Sequence, residues 1–219
     1  MNRLPFLAFV LALSGGRAAG QGRFLERPVA SLCTSRSSHD LFSGHRYYYS
    51  WLDPSNANTF LDWVDARNWC RRRCMDLVAF EDVREYQMVS RRMVASSNKF
   101  YWTSGRRCDF DDTCLRHDLQ PVDVNGWFWS ASNKKMRPTN QRSPSNDWSN
   151  TGGYGRPQPD NRERDLGGDN ESCLAVLNNH YNDGVRWHDV ACHHRKNWVC
   201  EDSDELLTFV RRNNPFIRL

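Results

Sequence analysis

The eight cysteines are the side chains with the most distinctive chemistry in this 219-residue sequence, and their number is even. Thiolates could bind zinc, but the Cys-x-x-Cys pairs typical of structural zinc sites do not occur. In an oxidising compartment, an even number of cysteines indicates disulfide bonds instead. We therefore predict four disulfides among Cys33, Cys70, Cys74, Cys108, Cys114, Cys173, Cys192 and Cys200.

The first twenty residues indicate that the chain reaches such a compartment. A short basic start is followed by an apolar stretch over 4–13 and by small residues that include Ala18 and Gly20. This order is typical of a secretory signal peptide, and the apolar stretch is too short to cross a hydrocarbon core of about 30 Å as a helix. We predict a signal peptide over 1–20, cleavage before Gln21 and secretion; a retained signal anchor is the alternative.

Other reactive side chains have simpler interpretations. Asn170-Glu171-Ser172 is a glycosylation sequon, so a secreted chain is expected to carry a glycan on Asn170. No nucleophile–base motif, phosphate loop or glycosidase signature occurs, which argues against an enzyme. Four histidines lack two pairs at helical spacing and are interpreted as surface or packed residues rather than metal ligands. They are His180, His188, His193 and His194.

The composition excludes several classes of protein. Hydrophobic residues make up 39% of the chain and aromatic residues 12%, which argues against a disordered chain. Charged residues make up 26%, which argues against a membrane channel. The net charge of +4 falls to +2 without the predicted signal, since Arg3 and Arg17 are then lost. Such a balance does not indicate nucleic-acid binding.

Two segments have the spacing of amphipathic helices. The first covers 60–74, with Asp62 as a suitable N-cap. Its apolar side collects Trp63, Ala66, Arg67, Cys70 and Cys74. The second covers 81–93, and its predicted inward residues are Val83, Tyr86, Val89 and Met93.

Runs of β-branched and aromatic residues predict short strands around these helices. The strands cover 45–51, 101–105, 126–130, 173–177, 184–187 and 197–200. Most tryptophans fall on these elements and are expected to form the core. These are Trp51, Trp63, Trp69, Trp102, Trp127, Trp129 and Trp198. The order of elements predicts an α+β fold.

Three segments lie outside this pattern. Residues 21–44 are polar and are predicted to be a loosely structured lead-in. Residues 133–170 form a long polar segment, and loops of this length are usually functional or disordered. The tail over 202–219 contains Leu206, Leu207 and Val210 at helical spacing. We expect a short amphipathic helix that docks on the domain; a contact with a partner protein is the alternative.

From about Tyr47 to Glu201 the chain resembles the C-type lectin-like domain family. Five features occur in the family's order: Trp63-x-x-Ala66-Arg67-x-x-Cys70 with Asp76-Leu77-Val78, Tyr101-Trp102-Thr103-Ser104-Gly105, Gln158-Pro159-Asp160, Glu171-x-Cys173, and Trp187-His188-Asp189-x-x-Cys192 with Cys200. The resemblance implies one domain over 45–201, with two helices, short antiparallel strands, a long irregular loop and disulfide staples.

The resemblance also implies how the cysteines pair. Cys70–Cys200 would join the first helix to the last strand, and Cys173–Cys192 would staple the long-loop region. The remaining four would pair as Cys108–Cys114 and Cys33–Cys74. Cys74, the loop over 108–114 and the tail are similar to secreted arthropod C-type lectins, some of them associated with cuticle.

For sugar-binding members, the resemblance implies a site in which one calcium ion on the long loop is chelated by two vicinal sugar hydroxyls. Calcium prefers oxygen ligands. The implied metal ligands are Gln158, Asp160, Glu171 and Asp189, and His188 completes the carbohydrate site. The tripeptide Gln158-Pro159-Asp160 implies galactose-type recognition.

The sequence departs from the family's pattern at two points. His188 stands where sugar-binding members have an asparagine, and an imidazole nitrogen is a poor calcium ligand. No tryptophan follows the tripeptide to stack on a sugar, so Tyr154 or Tyr181 would have to take that role.

Two functions from different classes follow. The first is a secreted lectin that binds extracellular glycans or glycoproteins, on cuticle or a microbial surface, with calcium. The second is a lectin-like structural or protein-binding module of extracellular matrix or cuticle that needs no calcium. Whether the role is innate immunity or matrix organisation is left open, as are the glycan and the oligomeric state.

Overall fold

The computed structural model describes residues 24–219, so the predicted signal peptide lies outside the described part of the chain. The fold is α+β, as the sequence predicts, with a branched sheet and helices packed on it. Within residues 24–219, no helix combines the length and the apolar character needed to cross a bilayer.

Each of the two main helices begins one residue after a capping aspartate, of which the sequence predicts Asp62. The Asp62 carboxylate accepts a hydrogen bond from Asp65 N, so the first helix runs over Trp63–Arg71 rather than from 60. It ends early because Cys74 has a left-handed backbone, with φ of 58°. The second helix covers Val83–Ala95, since Asp82 rather than Glu81 caps its first turn.

The predicted strands are all present, most with shifted ends. The helices are α1 (Ala30–Thr34), α2 (Trp63–Arg71), α3 (Val83–Ala95), α4 (Val122–Asn125), α5 (Arg162–Asp165) and α6 (Asp204–Asn213). The strands are β1 (Asp40–Phe42), β2 (His45–Tyr49), β3 (Met75–Leu77), β4 (Phe100–Arg107), β5 (Trp127–Trp129), β6 (Lys134–Lys135), β7 (Cys173–Asn178), β8 (Val185–Val190) and β9 (Asn197–Asp202). Short 3₁₀ turns cover Ser50–Leu52, Asp112–Leu115 and His117–Leu119.

The sheet places the beginning and the end of the domain side by side, because β2 pairs with β9. Its main path is β1-β2-β9-β4-β5-β6, with β3 on β9 and the β7–β8 hairpin on β4. All pairs are antiparallel except β4 with β9. The core consists largely of aromatic side chains on these strands, and its bulkiest fully buried members are Trp102, Trp127, Trp148, Trp187 and Trp198.

All eight cysteines are paired in the structure. The bonds are Cys33–Cys74, Cys70–Cys200, Cys108–Cys114 and Cys173–Cys192. Cys70–Cys200 joins residues 130 positions apart, so it restricts the unfolded chain most strongly.

The lead-in is more ordered than its polar composition predicts, and the prediction of a loose segment is wrong for residues 24–44. Strand β1 pairs with β2, and α1 carries Cys33 into its bond with Cys74. The tail helix α6 packs its buried side on this disulfide. That side consists of Leu206, Leu207 and Val210.

The long polar segment is anchored by one tryptophan that the sequence analysis did not assign to the core. The Trp148 side chain is 1% exposed and lies 4.8 Å from Trp127, centroid to centroid. Its backbone forms a parallel bridge with Trp187 in β8. This anchor holds the segment on the sheet and brings the residues after it to the end of β8.

Two neighbouring carboxylates, Glu201 on β9 and Glu85 on α3, make the stability of the fold depend on pH. Burial, together with the negative charge of Glu85 beside it, raises the pKa of Glu201 well above its ordinary value. Ala79 N donates to Glu201 Oε1 at 2.9 Å, and the Tyr47 hydroxyl donates to Glu85. Glu81 adds a further negative charge. The folded state therefore favours protonated Glu201, and stability falls as pH rises above the unfolded pKa of about 4.3.

We expect Glu201→Gln to raise the unfolding temperature above that of the wild type at pH 8. The amide keeps an acceptor for Ala79 N and removes the charge that burial disfavours. At pH 4 the two proteins should unfold at nearly the same temperature. The measurement is thermal unfolding across this range, with the exposed Glu205→Gln as matched control. A gap between wild type and E201Q that does not change with pH would contradict the account.

Candidate functional site

A cavity of about 370 Å³ lies where the long loop meets the β7–β8 hairpin and the start of β9. The structure brings all five predicted site residues to this cavity: Gln158, Asp160, Glu171, His188 and Asp189. Gln158 and Asp160 come from the loop, Glu171 precedes β7, and the last two lie on β8.

Backbone hydrogen bonds to Asp189 fold the loop over the hairpin. Its two carboxylate oxygens accept from Asp160 N at 3.2 Å and from Asn161 N at 2.8 Å. Asn161 has a left-handed backbone, with φ of 49°, and its Oδ1 accepts from Glu171 N at 2.8 Å. Asparagine tolerates this conformation better than most residues. Asn161 therefore connects the loop to the approach to β7.

These contacts gather three carboxylates. One oxygen each of Asp160, Glu171 and Asp189 lies within 4.8 Å of the others. Burial, with the neighbouring negative charges, raises the pKa of Glu171 to about 7. Burial and the charge of Glu171 also raise the pKa of Asp189 well above its ordinary value. The arrangement is electrostatically unfavourable without a cation.

The cluster fits a hard divalent cation. Asp160 Oδ2 and Glu171 Oε2 are buried, and neither has a hydrogen-bond partner among the described residues. Buried carboxylate oxygens are normally paired or bound to a metal. Three carboxylates supply oxygen donors, which are the ligands that calcium prefers. The Gln158 side chain lines the same cavity.

Gln158 is held by the backbone of the same loop. Its N–H donates to Ser149 O at 2.9 Å, and its carbonyl accepts from Arg142 at 2.9 Å. The side chain packs so closely on Gly152 that a β-carbon there would lie 2.3 Å from Gln158 Nε2. Gly152 therefore leaves the room that the Gln158 amide occupies.

His188 is buried and neutral. Burial lowers its pKa to about 4, although Asp183 Oδ2 lies 3.3 Å from its Nε2. Asp183 also accepts a hydrogen bond from the Ser149 hydroxyl. His188 brings no oxygen to the carboxylate cluster, but its imidazole remains available to hydrogen-bond a hydroxyl in the cavity.

Tyr181 and Lys196 also line the cavity, whereas Tyr154 is not among its lining residues. The Tyr181 ring lies 5.4 Å from that of His188, and Tyr154 lies against Arg162 at 5.2 Å. The sequence analysis named both tyrosines but not Lys196. The Lys196 ammonium packs 4.8 Å from the Phe100 ring, and burial lowers its pKa to about 8. Nothing in the spacing around Lys196 signals its place in the cavity.

Comparisons with known proteins relate the chain to animal lectins. No family model matches it. Over 140 residues, 64% of this chain, it is 24% identical to L-selectin of Mus musculus. Over 141 residues it is 25% identical to L-selectin of Bos taurus. Each alignment covers 29% of the L-selectin chain, so this chain spans less than a third of the length of these relatives.

Two solved structures share its fold. The mouse scavenger receptor C-type lectin carbohydrate-recognition domain aligns with a TM-score of 0.50 and 19% identity, over 75% of this chain and 94% of that chain. SPL-1, solved as a GlcNAc complex, aligns with a TM-score of 0.51 and 18% identity, over 77% of this chain and 95% of that chain. The aligned part of the chain therefore has the fold of these C-type lectin domains.

Proposed function

We propose that this protein is a secreted lectin that binds extracellular glycans through the long-loop cavity, with a calcium ion held by the carboxylate cluster. One observation carries the proposal: two carboxylates of the cluster, Asp160 and Glu171, each have a buried oxygen with no hydrogen-bond partner among the described residues. The mouse scavenger receptor lectin domain and the SPL-1–GlcNAc complex support a carbohydrate ligand.

In this proposal the chain holds the ion through Gln158, Asp160, Glu171 and Asp189. A bound calcium ion would supply coordination positions for two vicinal sugar hydroxyls. Protein oxygens not used by the metal accept hydrogen bonds from those hydroxyls, and the Gln158 amide donates one. Tyr181 offers an aromatic face at the cavity, where the apolar side of a sugar can stack. Gln158-Pro159-Asp160 supports a galactose-type ligand.

The proposal is tested by capture of the protein on immobilised galactose and mannose, in calcium and after chelation. We expect capture on galactose that the chelator releases, and little capture on mannose. Gln158→Ala combined with Asp160→Ala should abolish capture. If the folded wild type binds neither sugar in millimolar calcium, the lectin proposal fails.

The second candidate function is a calcium-independent module that binds a protein of extracellular matrix or cuticle. Two observations favour it: His188 gives the cluster no oxygen, and the Lys196 ammonium lines the same cavity as the carboxylates. The capture experiment separates the two functions, because this module would retain partner binding in chelator. A role in innate immunity, the similarity to arthropod lectins and the absence of enzymatic activity stay predictions.

Glycosylation of Asn170 bears on access to the cavity. Asn170 is exposed, and its Oδ1 accepts from Asn161 Nδ2 at 3.2 Å. A glycan at this position would stand beside Glu171 and crowd the cavity. The capture experiment should therefore include Asn170→Gln, with a mass measurement before and after enzymatic deglycosylation. A wild-type mass that deglycosylation does not change would contradict glycosylation at Asn170.

We expect His188→Asn to strengthen calcium binding about tenfold, which corresponds to about 1.4 kcal/mol. The substitution places an amide oxygen beside the three carboxylates, and calcium prefers such oxygens to imidazole nitrogen. Calorimetric titration with calcium measures the effect. His180→Asn is the matched control, because His180 is an exposed histidine at the same cavity. An unchanged or weaker affinity in folded H188N would show that position 188 does not face the ion.

A further inference from the structure

A second cluster of metal-ligating side chains lies at the outer rim of the cavity, where α5 approaches the turn after β8. It consists of Glu163, His193 and His194, whose ligand atoms all lie within 4.8 Å of one another. His194 Nε2 is 2.9 Å from one Glu163 carboxylate oxygen, and His193 Nε2 is 3.7 Å from the other. Both imidazoles are partly exposed, so an ion can reach them from solvent.

The backbone holds both sides of this cluster in place. The Cys173–Cys192 disulfide fixes the residue before His193, and His194 N donates to Ala191 O at 3.1 Å. On the loop side, Gly168 N donates to Glu163 O at 2.9 Å. A β-carbon at Gly168 would lie 2.9 Å from Glu163 Cγ, so the glycine lets this turn close around the glutamate.

A fourth side chain, Asp169, orients one of the two histidines. Asp169 Oδ2 lies 3.1 Å from His193 Nδ1, on the side of the ring opposite to the cluster nitrogen. A carboxylate on one ring nitrogen fixes the tautomer that presents the other nitrogen's lone pair, and metal-binding histidines usually have such a partner. His193 is therefore oriented as a ligand through Nε2.

We propose that Glu163, His193 and His194 bind a zinc ion, with Asp169 orienting His193. Two imidazole nitrogens and one carboxylate are a donor set that suits zinc, with a fourth position left for water or a ligand. Calcium, in contrast, prefers oxygen donors, which the Asp160, Glu171 and Asp189 cluster supplies. The two sites share no ligand.

Zinc at this site would link the long loop to the turn that follows β8. Glu163 belongs to α5 in the long loop, and the histidines follow the disulfide at the end of β8. Glu163 and His194 also line the cavity. A zinc ion held by these residues would thus clamp the long loop at the rim of the cavity.

The test is titration of the mature protein, without an affinity tag, with zinc in the presence of excess calcium. A chromophoric zinc chelator serves as competitor, and X-ray absorption identifies the ligands. We expect one zinc ion, and a spectrum with two imidazoles. His193→Ala should weaken binding at least 100-fold, and Asp169→Asn about tenfold, the lower end of the range for outer-shell partners.

Two controls separate this site from other sources of zinc binding. His117→Ala removes an exposed histidine on the turn His117–Leu119 and should leave zinc binding unchanged. Asp160→Ala should also leave it unchanged, so loss of calcium binding and loss of zinc binding can be distinguished. Absence of zinc uptake by the folded wild type, or equal affinity in H193A, would overturn the proposal.

Discussion

Replacing Asp76 by alanine should lower the free energy of unfolding by about 3–5 kcal/mol, the range found when one partner of a buried ion pair is removed. The Asp76 carboxylate accepts from Arg67 Nε at 2.8 Å and Nη2 at 3.0 Å, and from Arg71 at 3.0 Å. It also accepts from Leu77 N. Alanine would leave the buried guanidinium of Arg67, which extends from α2, without its carboxylate.

This effect concerns stability alone and is measured by denaturant unfolding. The matched control is Asp82→Ala, which removes an exposed helix cap and its pair with Arg84. That substitution removes only a helix cap and should lower the free energy of unfolding much less than D76A does. Asp76→Asn should fall between the two, because the amide oxygen still accepts one hydrogen bond. A loss below about 1 kcal/mol in D76A would contradict a structural role for this network.

The second large effect concerns the proposed calcium site. Asp160→Ala should weaken calcium binding more than 100-fold, about 2.8 kcal/mol. Asp160 supplies one of three clustered carboxylates, and its Oδ2 has no competing hydrogen-bond donor among the described residues. The reduced negative charge also lowers the attraction of the site for any cation.

The measurement is the rise in unfolding temperature that calcium produces, since an ion that binds only the folded state stabilises it. Calcium should raise the unfolding temperature of the wild type and leave that of D160A unchanged. Asp165→Ala is the matched control, because Asp165 is an exposed carboxylate on the same loop. Equal stabilisation of wild type and D160A would place the ion elsewhere.

Local signals in the sequence predicted the fold where they were strong. Asp62 caps α2 as predicted, and the aromatic runs became strands. The lead-in was misjudged because its order depends on partners distant in sequence: Cys33 is bonded to Cys74, 41 positions away, and the β1–β2 hairpin is held in the sheet by β9. The inward face of α3 was also partly wrong: Val83 is only half-buried, whereas Glu85 is buried beside Tyr47.

The site was predictable only through its motifs. Gln158, Asp160, Glu171, His188 and Asp189 follow from the resemblance, and the structure brings them to one cavity. The partners of these residues do not follow from spacing. Asp183 meets His188 through the turn of the β7–β8 hairpin, and Glu163 meets His194 because Asn161 holds the long loop on β8. Such contacts depend on tertiary structure, which a residue pattern does not encode locally.

The central claim is that the carboxylate cluster binds calcium, and calorimetric titration of the mature wild-type protein with calcium tests it most directly. The account predicts one ion bound at up to millimolar calcium, with that binding lost in the Gln158→Ala, Asp160→Ala variant. Binding should persist when the zinc cluster is removed by His193→Ala. A folded wild-type protein that shows no calcium binding at millimolar concentration would contradict the account.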